Sequence, residues 1–429
     1  MKFSLLRFLI PLIILLCIDL YSFQAIRTAT ENLSQNTRKW IYIAFWAITV
    51  LVLGMILTGV FTDFLTQHKV VRNYILGFLF AVYFSKLIIV IFLLFDDLGR
   101  LIRWIISLFN HPGESIAPEH PTISRSLFVS QAALVVSALP FGSLLYGIMF
   151  GAYDYNVRRM KLSFINLPKA FDGLRILQVS DIHTGSFVET DHLQQAVNMI
   201  NAEKADLVLF TGDLVNNRTD EVYPYMDILK QIKAPMDVFS SLGNHDYGDY
   251  SSWDTPSDKR KNLTDFFDVH KNLGWDLLKN ENRILSKEGQ SIVIAGCENW
   301  GGSMRFPKYG DLNKTTAGIK DNPFTILMSH DPSHWDAQIL DHPYNFDLTL
   351  AGHTHGFQFG IDTKLVKWSP SQYFYKQWAG LYKKGKKYIY VNRGLGFLGY
   401  PGRAGIRPEI TVIELRTACF TKTSDTPTR

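Results

Sequence analysis

Up to about residue 152 the chain is dominated by long apolar runs, whereas from Leu174 onward the apolar positions come in short β-branched bursts separated by polar turns. The long runs fall at Leu5–Tyr21, Trp40–Phe61, Tyr74–Phe95 and Leu127–Tyr153. Each comes close to the roughly 20 apolar residues that a helix needs to cross a bilayer core, so four spans are predicted. Lys2 ahead of the first run imitates a signal peptide, but Leu16 before Cys17 fits a cleavage site poorly, and the first run is expected to stay as a span. An even number of spans puts the N-terminus and the rest of the chain on one side. Lys69, Arg72, Arg158, Arg159 and Lys161 favour a cytoplasmic C-terminal domain, while Arg38, Lys39, Arg100, Arg103 and Arg125 count against it. The basic cluster directly after the last span tips the expectation to the cytoplasmic side. Lys86, inside the third run, is expected to snorkel or to pair within the bundle, and Pro140 to kink the fourth helix.

The later bursts share a grammar. Arg175–Val179 leads into Ser180-Asp181-Ile182-His183, Leu207–Phe210 into Thr211-Gly212-Asp213, and Val238–Leu242 into Gly243-Asn244-His245-Asp246. Thr325–Met328 leads into Ser329-His330, and Leu348–Ala351 into Gly352-His353-Thr354-His355. With helix-like segments between them, these bursts predict a layered α/β domain, and each polar cluster falls at a strand's C-terminal end, where open sheets place ligands. The domains expected are a membrane region over 1–153, a linker over 154–173, the α/β domain over 174–415 and a flexible tail over 416–429.

Composition sharpens this in two respects. The mean hydropathy of +0.03 averages two unlike halves, and the net charge of +5 over 429 residues has no basic stripe, so nucleic acid is not expected as a partner. Cys17, Cys297 and Cys419 stand far apart without metal or redox spacing, and Cys17 is expected to be a buried, inert thiol.

The series DxH, GD, GNHD, H, GHTH, from Asp181 to His355, resembles the signature of the calcineurin-like metallophosphoesterases. Asn282 in its Lys279–Asn282 segment, Ala295-Gly296-Cys297-Glu298, the extension Gly356-Phe357-Gln358 and Tyr390–Gly396 are similar to that family's membrane-associated bacterial branch, and the likeness covers Leu174 to Leu415. It implies a β-sandwich flanked by helices. It further implies one metal on Asp181, His183, Asp213 and His355 and a second on Asp213, Asn244, His330 and His353, with Asp213 shared. Such oxygen and nitrogen ligands suit two divalent ions such as Mn, Fe, Zn, Co or Ni, which activate water to attack phosphorus without a nucleophilic Ser or Cys. His245 would then donate a proton to the leaving oxygen or stabilise phosphate charge. Where many relatives carry GDxxD this chain ends in Asn216, which can orient a histidine but not stabilise an imidazolium as an acid does.

The function expected is a membrane-anchored phosphoesterase acting on a phosphomonoester, phosphodiester or pyrophosphate, with a lipid-linked ester as one candidate. The alternative is a membrane receptor or scaffold that binds without catalysis. Among other signals, Gly394–Gly399 satisfies GxGxxG, but Tyr400-Pro401-Gly402 bars a following helix and predicts a turn-rich loop beside the cleft. Arg393 and Arg403 could hold a phosphate or lipid headgroup, although structural roles are favoured. Tyr247, Trp300, Arg305 and Phe357 are candidates to shape the pocket, and Tyr250–Lys271 is expected to be a solvated loop and helix near its mouth.

Overall fold

The computed structural model describes residues 5–62, 64–109, 124–303 and 306–418 and divides into two compact units, Met1–Met149 and Phe150–Arg429. Arg305 and the stretch from Cys419 to the end of the expected tail lie outside the described residues.

Among its described residues the first unit holds four helices long and apolar enough to cross a membrane, Leu5–Ala29, Gln35–Phe61, Lys69–Phe109 and Arg125–Met149. The third runs on past the expected end: its 41 residues span about 60 Å, roughly twice a bilayer core. Pro140 lies inside the fourth helix, which continues on both sides of it. Lys86 does not snorkel. Its ammonium pairs with the buried Asp19 of the first helix, lies 3.4 Å from Thr49 Oγ1 of the second, and sits 4.4 Å from the centre of the Phe45 ring. Tyr83 donates a further bond to Asp19 at 3.0 Å. Because Asp19 faces inward, Cys17, two positions or about 200° earlier on the helix, faces outward. Its thiol is exposed, which corrects the expectation of a buried one.

In the second unit the expected linker is ordered. Asn156–Phe164 forms strand β1, parallel to the last strand, with Leu162 and Phe164 in the core. The strand is hard to see because its charged half reads as a juxtamembrane cluster. Arg158 pairs with Asp362 and Glu409, Arg159 with Glu203, and Lys161 with Glu414.

The strands that follow are β2 Arg175–Val179, β3 Leu207–Phe210, β4 Val238–Ser240, β5 Asp276–Leu277, β6 Glu281–Lys287 and β7 Gln290–Gly296. Then come β8 Thr325–Met328, β9 Leu348–Ala351, β10 Ile361–Asp362, β11 Lys367–Trp368, β12 Gly380–Lys384, β13 Lys387–Val391 and β14 Glu409–Thr417. They make two six-stranded sheets, ordered β1-β14-β2-β3-β4-β5 and β12-β13-β9-β8-β7-β6, while β10 and β11 form a separate hairpin. Side-chain alternation builds the layers. Ile176, Leu207 and Leu209 meet Ile292, Ile294, Ile326 and Leu348 between the sheets. Leu177, Val208 and Phe210 point the other way, into a layer with the helices Thr190–Ala202 and Pro256–Leu273. Val293, Leu327 and Ile389 pack under Trp335 and Ile339 on the outer face of the second sheet. The central strands β2, β3, β4, β8 and β9 are therefore buried at every position but Arg175, as parallel strands covered on both faces must be.

Candidate metal centre

Strands β2, β3 and β4 of one sheet and β8 and β9 of the other run out at the same end of the sandwich, and their turns carry the polar clusters. The backbone there is unusual. Asp181, His183, Asp213, His353 and His355 all adopt left-handed φ, between 47° and 70°, a conformation that L residues rarely take without a compensating return. Two glycines allow the turns to close. A Cβ on Gly212 would stand 2.4 Å from Gly243 N, and one on Gly352 would stand 2.0 Å from Ser180 Oγ and 2.2 Å from Asp181 Oδ2.

Two groups result, Asp181 with His183 and His355, and Asp213 with His330 and His353; within each, the potential ligand atoms lie within 4.8 Å of one another. Asp213 Oδ2 reaches into both groups, 3.6 Å from His183 Nε2 and 3.1 Å from His330 Nε2. Asn244 joins the second, its Oδ1 2.8 Å from His353 Nδ1. The seven expected ligands thus converge.

The outer nitrogens are held. His183 Nδ1 bonds Val215 O at 3.0 Å and His330 Nδ1 bonds Thr211 O at 2.7 Å, so these nitrogens donate and each Nε2 is the nitrogen that faces inward. His330 Nε2 is buried without an aligned hydrogen-bond partner, the kind of orphan that a cation satisfies. His355 differs, since Arg403 Nη2, which can only donate, lies 3.1 Å from its Nδ1. Its proton therefore sits on Nε2, facing His183 Nε2 at 3.1 Å and Asp181 Oδ1 at 3.2 Å, and a cation there would displace it.

The charges fit cation binding. Burial favours the neutral form of Asp213, yet the His330, His245 and His183 imidazoles outweigh it and hold the carboxylate well below its usual range. Burial likewise opposes the charge on Asp181, but His355 overcomes it and lowers the group. Burial lowers His183 to about 3, whereas at His330 the Asp213 carboxylate outweighs burial and raises the imidazole to about 10. Without a cation, then, a proton on His330 neutralises Asp213. Buried carboxylates and imidazoles with no thiolate, two of them sharing one oxygen, fit a pair of divalent ions.

His245 N donates to Asp213 Oδ1 at 2.9 Å, and its Nδ1 bonds the backbone carbonyl of Asn216. A main-chain oxygen therefore orients the imidazole whatever side chain stands at 216, which answers the question raised by the missing acid. Glu221 holds that carbonyl's loop by accepting from Asn216 N at 2.6 Å and Asn217 N at 3.2 Å.

Several neighbours were not anticipated. Asp246 accepts the N–H groups of Gly243, Asp213 and Leu214 at 2.8 Å each, tying two ligand turns together. Burial and the Asp213 charge nevertheless raise its carboxyl to about 7. Asp331, adjacent to His330, brings a buried, unpartnered Oδ2 to 3.5 Å from His353 Nε2. Tyr375 OH lies 2.8 Å from the same nitrogen, and Phe306 sets its ring edge-on to His353. Tyr250 receives a bond from Asn244 Nδ2 at 3.1 Å and stacks obliquely on His245, so the start of the expected surface segment belongs to the site. Adjacency in sequence could have pointed to Asp331; nothing local marks Tyr375.

Other expectations resolve as structure. Arg393 is buried against Asp362 and Glu409, and Arg403 donates to Gly396 O at 2.9 Å, so neither is free for a headgroup. The GxGxxG segment is a loop whose Leu395 and Gly396 N–H groups brace the carbonyls of Ser180 and Asp181. Tyr247 is buried and accepts from Asn299 N; Trp300 stacks on His334; Phe357 is exposed beside the cluster.

Family models agree with this geometry. One described as calcineurin-like phosphoesterase matches residues 174–357, and one described as a probable calcineurin-like phosphoesterase transmembrane domain matches residues 6–152. The chain is also 32% identical over 260 residues to the metallophosphoesterase YkuE of Bacillus subtilis, covering 58% of this chain and 82% of that one. The chain belongs to the calcineurin-like metallophosphoesterase family. Further relatives are the transmembrane protein with metallophosphoesterase domain of Danio rerio, 28% identical over 71% of this chain and 66% of its own, and the phosphodiesterase YaeI of Escherichia coli, 26% identical over 68% and 99%. This family member is a metal-dependent phosphoesterase with a transmembrane region.

Proposed function

We propose that Asp181, His183, Asp213 and His355 hold one divalent cation and Asp213, Asn244, His330 and His353 a second, and that the pair hydrolyses a phosphomonoester, phosphodiester or pyrophosphate. The observation that carries this is Asp213 Oδ2, which stands within ligand reach of histidines from both groups. Bound cations of this kind neutralise phosphoryl oxygens and make hydroxide available near neutral pH. The protein's own contributions are positional. Asp213, held to the His245 N–H, separates the two sites. His245, with Nδ1–H committed to a carbonyl, presents Nε2 to the cleft, and it is from the ring protonated on both nitrogens that Nε2 delivers a proton to the leaving oxygen. Tyr250, Phe306 and Tyr375 line the approach to Asn244 and His353. No observation favours the receptor or scaffold alternative, since every ligand position is chemically competent.

Full-length protein in lipid nanodiscs should contain two transition-metal ions per chain by elemental analysis and hydrolyse an aryl phosphodiester with Mn. A chain with no bound metal and no metal-dependent hydrolysis of any phosphate ester overturns the reading. We place the catalytic domain on the cytoplasmic side, on the strength of the basic cluster Arg158, Arg159 and Lys161 that follows the fourth helix. A reporter fused at the C-terminus that is active only outside the cytoplasm would reverse this assignment.

A further inference from the structure

The surface next to His355 carries an apolar projection that metal binding does not use. Strands β10 and β11 form a short hairpin closed by Thr363 N to Val366 O at 2.9 Å, and its tip residue Leu365 is 95% exposed. The turn that follows leaves Tyr373 72% and Phe374 74% exposed. An isolated exposed leucine means little, but three large apolar side chains on one projection mark a surface made to be covered.

The projection is rooted in the site. Ser369 donates to Gly356 O at 2.6 Å, Phe357 packs on Phe374 with ring centres 5.4 Å apart, and Tyr375, the residue after Phe374, bonds His353. Whatever covers the tip is therefore brought beside the metal centre. Two cations accompany the apolar residues: Lys364 is exposed, and Lys376, loosely paired with Asp336 at 3.9 Å, keeps an 85% exposed side chain. Leucine and aromatic rings flanked by lysines suit the boundary between acyl chains and anionic headgroups. Only six residues separate the last apolar helix, ending at Met149, from β1 at Asn156, so a bilayer is always within reach of this domain's chain.

We infer that the projection docks on the lipid bilayer: Leu365, Tyr373 and Phe374 enter the interface while Lys364 and Lys376 meet lipid phosphates. This deepens the phosphoesterase reading and rests on it for its consequence, which is that the cleft receives phosphate esters presented at a membrane surface.

The test uses full-length protein, with Cys17 and Cys419 replaced by Ser, in nanodiscs of phosphatidylcholine and phosphatidylglycerol. An environment-sensitive fluorophore is placed on Leu365→Cys, on Phe374→Cys, or on Asp321→Cys in an exposed remote turn. At 365 and 374 the emission should shift to the blue, and lipid-borne nitroxide should quench it at least twofold more than at 321. Quenching by aqueous iodide equal to that at 321 would overturn docking. A blue shift without lipid quenching would also overturn it, by showing a protein surface over the projection. Hydrolysis of a soluble aryl phosphodiester by the same samples reports folding and tests the phosphoesterase reading separately. Lost insertion with retained hydrolysis defeats docking alone, and retained insertion without hydrolysis in any metal defeats the enzymatic reading alone.

Discussion

An imidazole can bind a cation only through a nitrogen that bears no proton, so the partner of its other nitrogen decides what it can do. At His183 that partner is Val215 O, at His330 it is Thr211 O and at His245 it is Asn216 O, all main-chain carbonyls. The same device fixes Nε2 as the working nitrogen of two ligands and of one proton carrier, which donates when Nε2 holds a second proton. His245→Ala should therefore lower turnover by about 10²-fold or more with cation content unchanged, measured by steady-state hydrolysis beside elemental analysis. Loss of both cations would show that His245 holds the metals instead. Gly352 makes the converse case, because its absent side chain is what lets β9 close on the Ser180–Asp181 turn. Gly352→Ala should displace Asp181, remove at least one cation per chain and cut hydrolysis by at least about 10²-fold, since a misplaced ligand abolishes the geometry on which catalysis depends. A fully loaded variant would mean that the turn yields elsewhere.

Elements differed in how plainly the sequence announced them. The five strands that end in ligands were legible because each apolar burst stops at a polar cluster. The helix Pro256–Leu273 carries its own punctuation: Thr255 and Asp258 cap each other's backbone, and Gly274 closes the end at φ 78°. Which face of each strand meets which layer was not legible, because strands buried on both sides show no alternation. β1 was missed for the opposite reason, since its charges find their partners on Glu203, Asp362, Glu409 and Glu414, up to some 250 residues away. The helix Pro256–Leu273 also sets a pH limit. His270, buried with Nδ1 on Phe266 O, is lowered by burial to about 4, whereas the unfolded imidazole titrates near 6.5. The unfolded chain therefore binds the proton first as pH falls. The stability owed to neutral His270 is complete above about 6.5 and is lost as pH drops toward 4, by about 3 kcal/mol in all. His270→Leu should flatten that part of the acid slope, read as a smaller fall in the temperature of thermal inactivation between pH 7 and 5. An unchanged slope would assign it to other groups.

At the scale of the molecule, a phosphoesterase domain and a helical membrane unit share one chain, and the strand ends that converge on the cleft were legible, while neighbours such as Tyr375 and the membrane unit's interior were not. Lys86 could be seen as an intramembrane charge, but its partner could not, because Asp19 lies 67 residues earlier and meets it only when the first and third helices pack. Pairing offsets the cost of removing each charge from water, and Tyr83 and Thr49 satisfy further valences of the pair. Removing one member strands the other. Asp19→Asn or Lys86→Met alone should destabilise the membrane unit by roughly 3–5 kcal/mol, whereas Asp19→Leu combined with Lys86→Met, which leaves no orphan charge, should come within about 1 kcal/mol of the parent chain or exceed it. Unfolding in detergent, followed by the accessibility of Thr49→Cys to a maleimide in a chain without Cys17, distinguishes these outcomes. If the double variant were as unstable as either single one, the pair would be contributing more than mutual neutralisation, and an ion or proton bound at Asp19 and Lys86 would become the better account of why charge is kept inside the bundle.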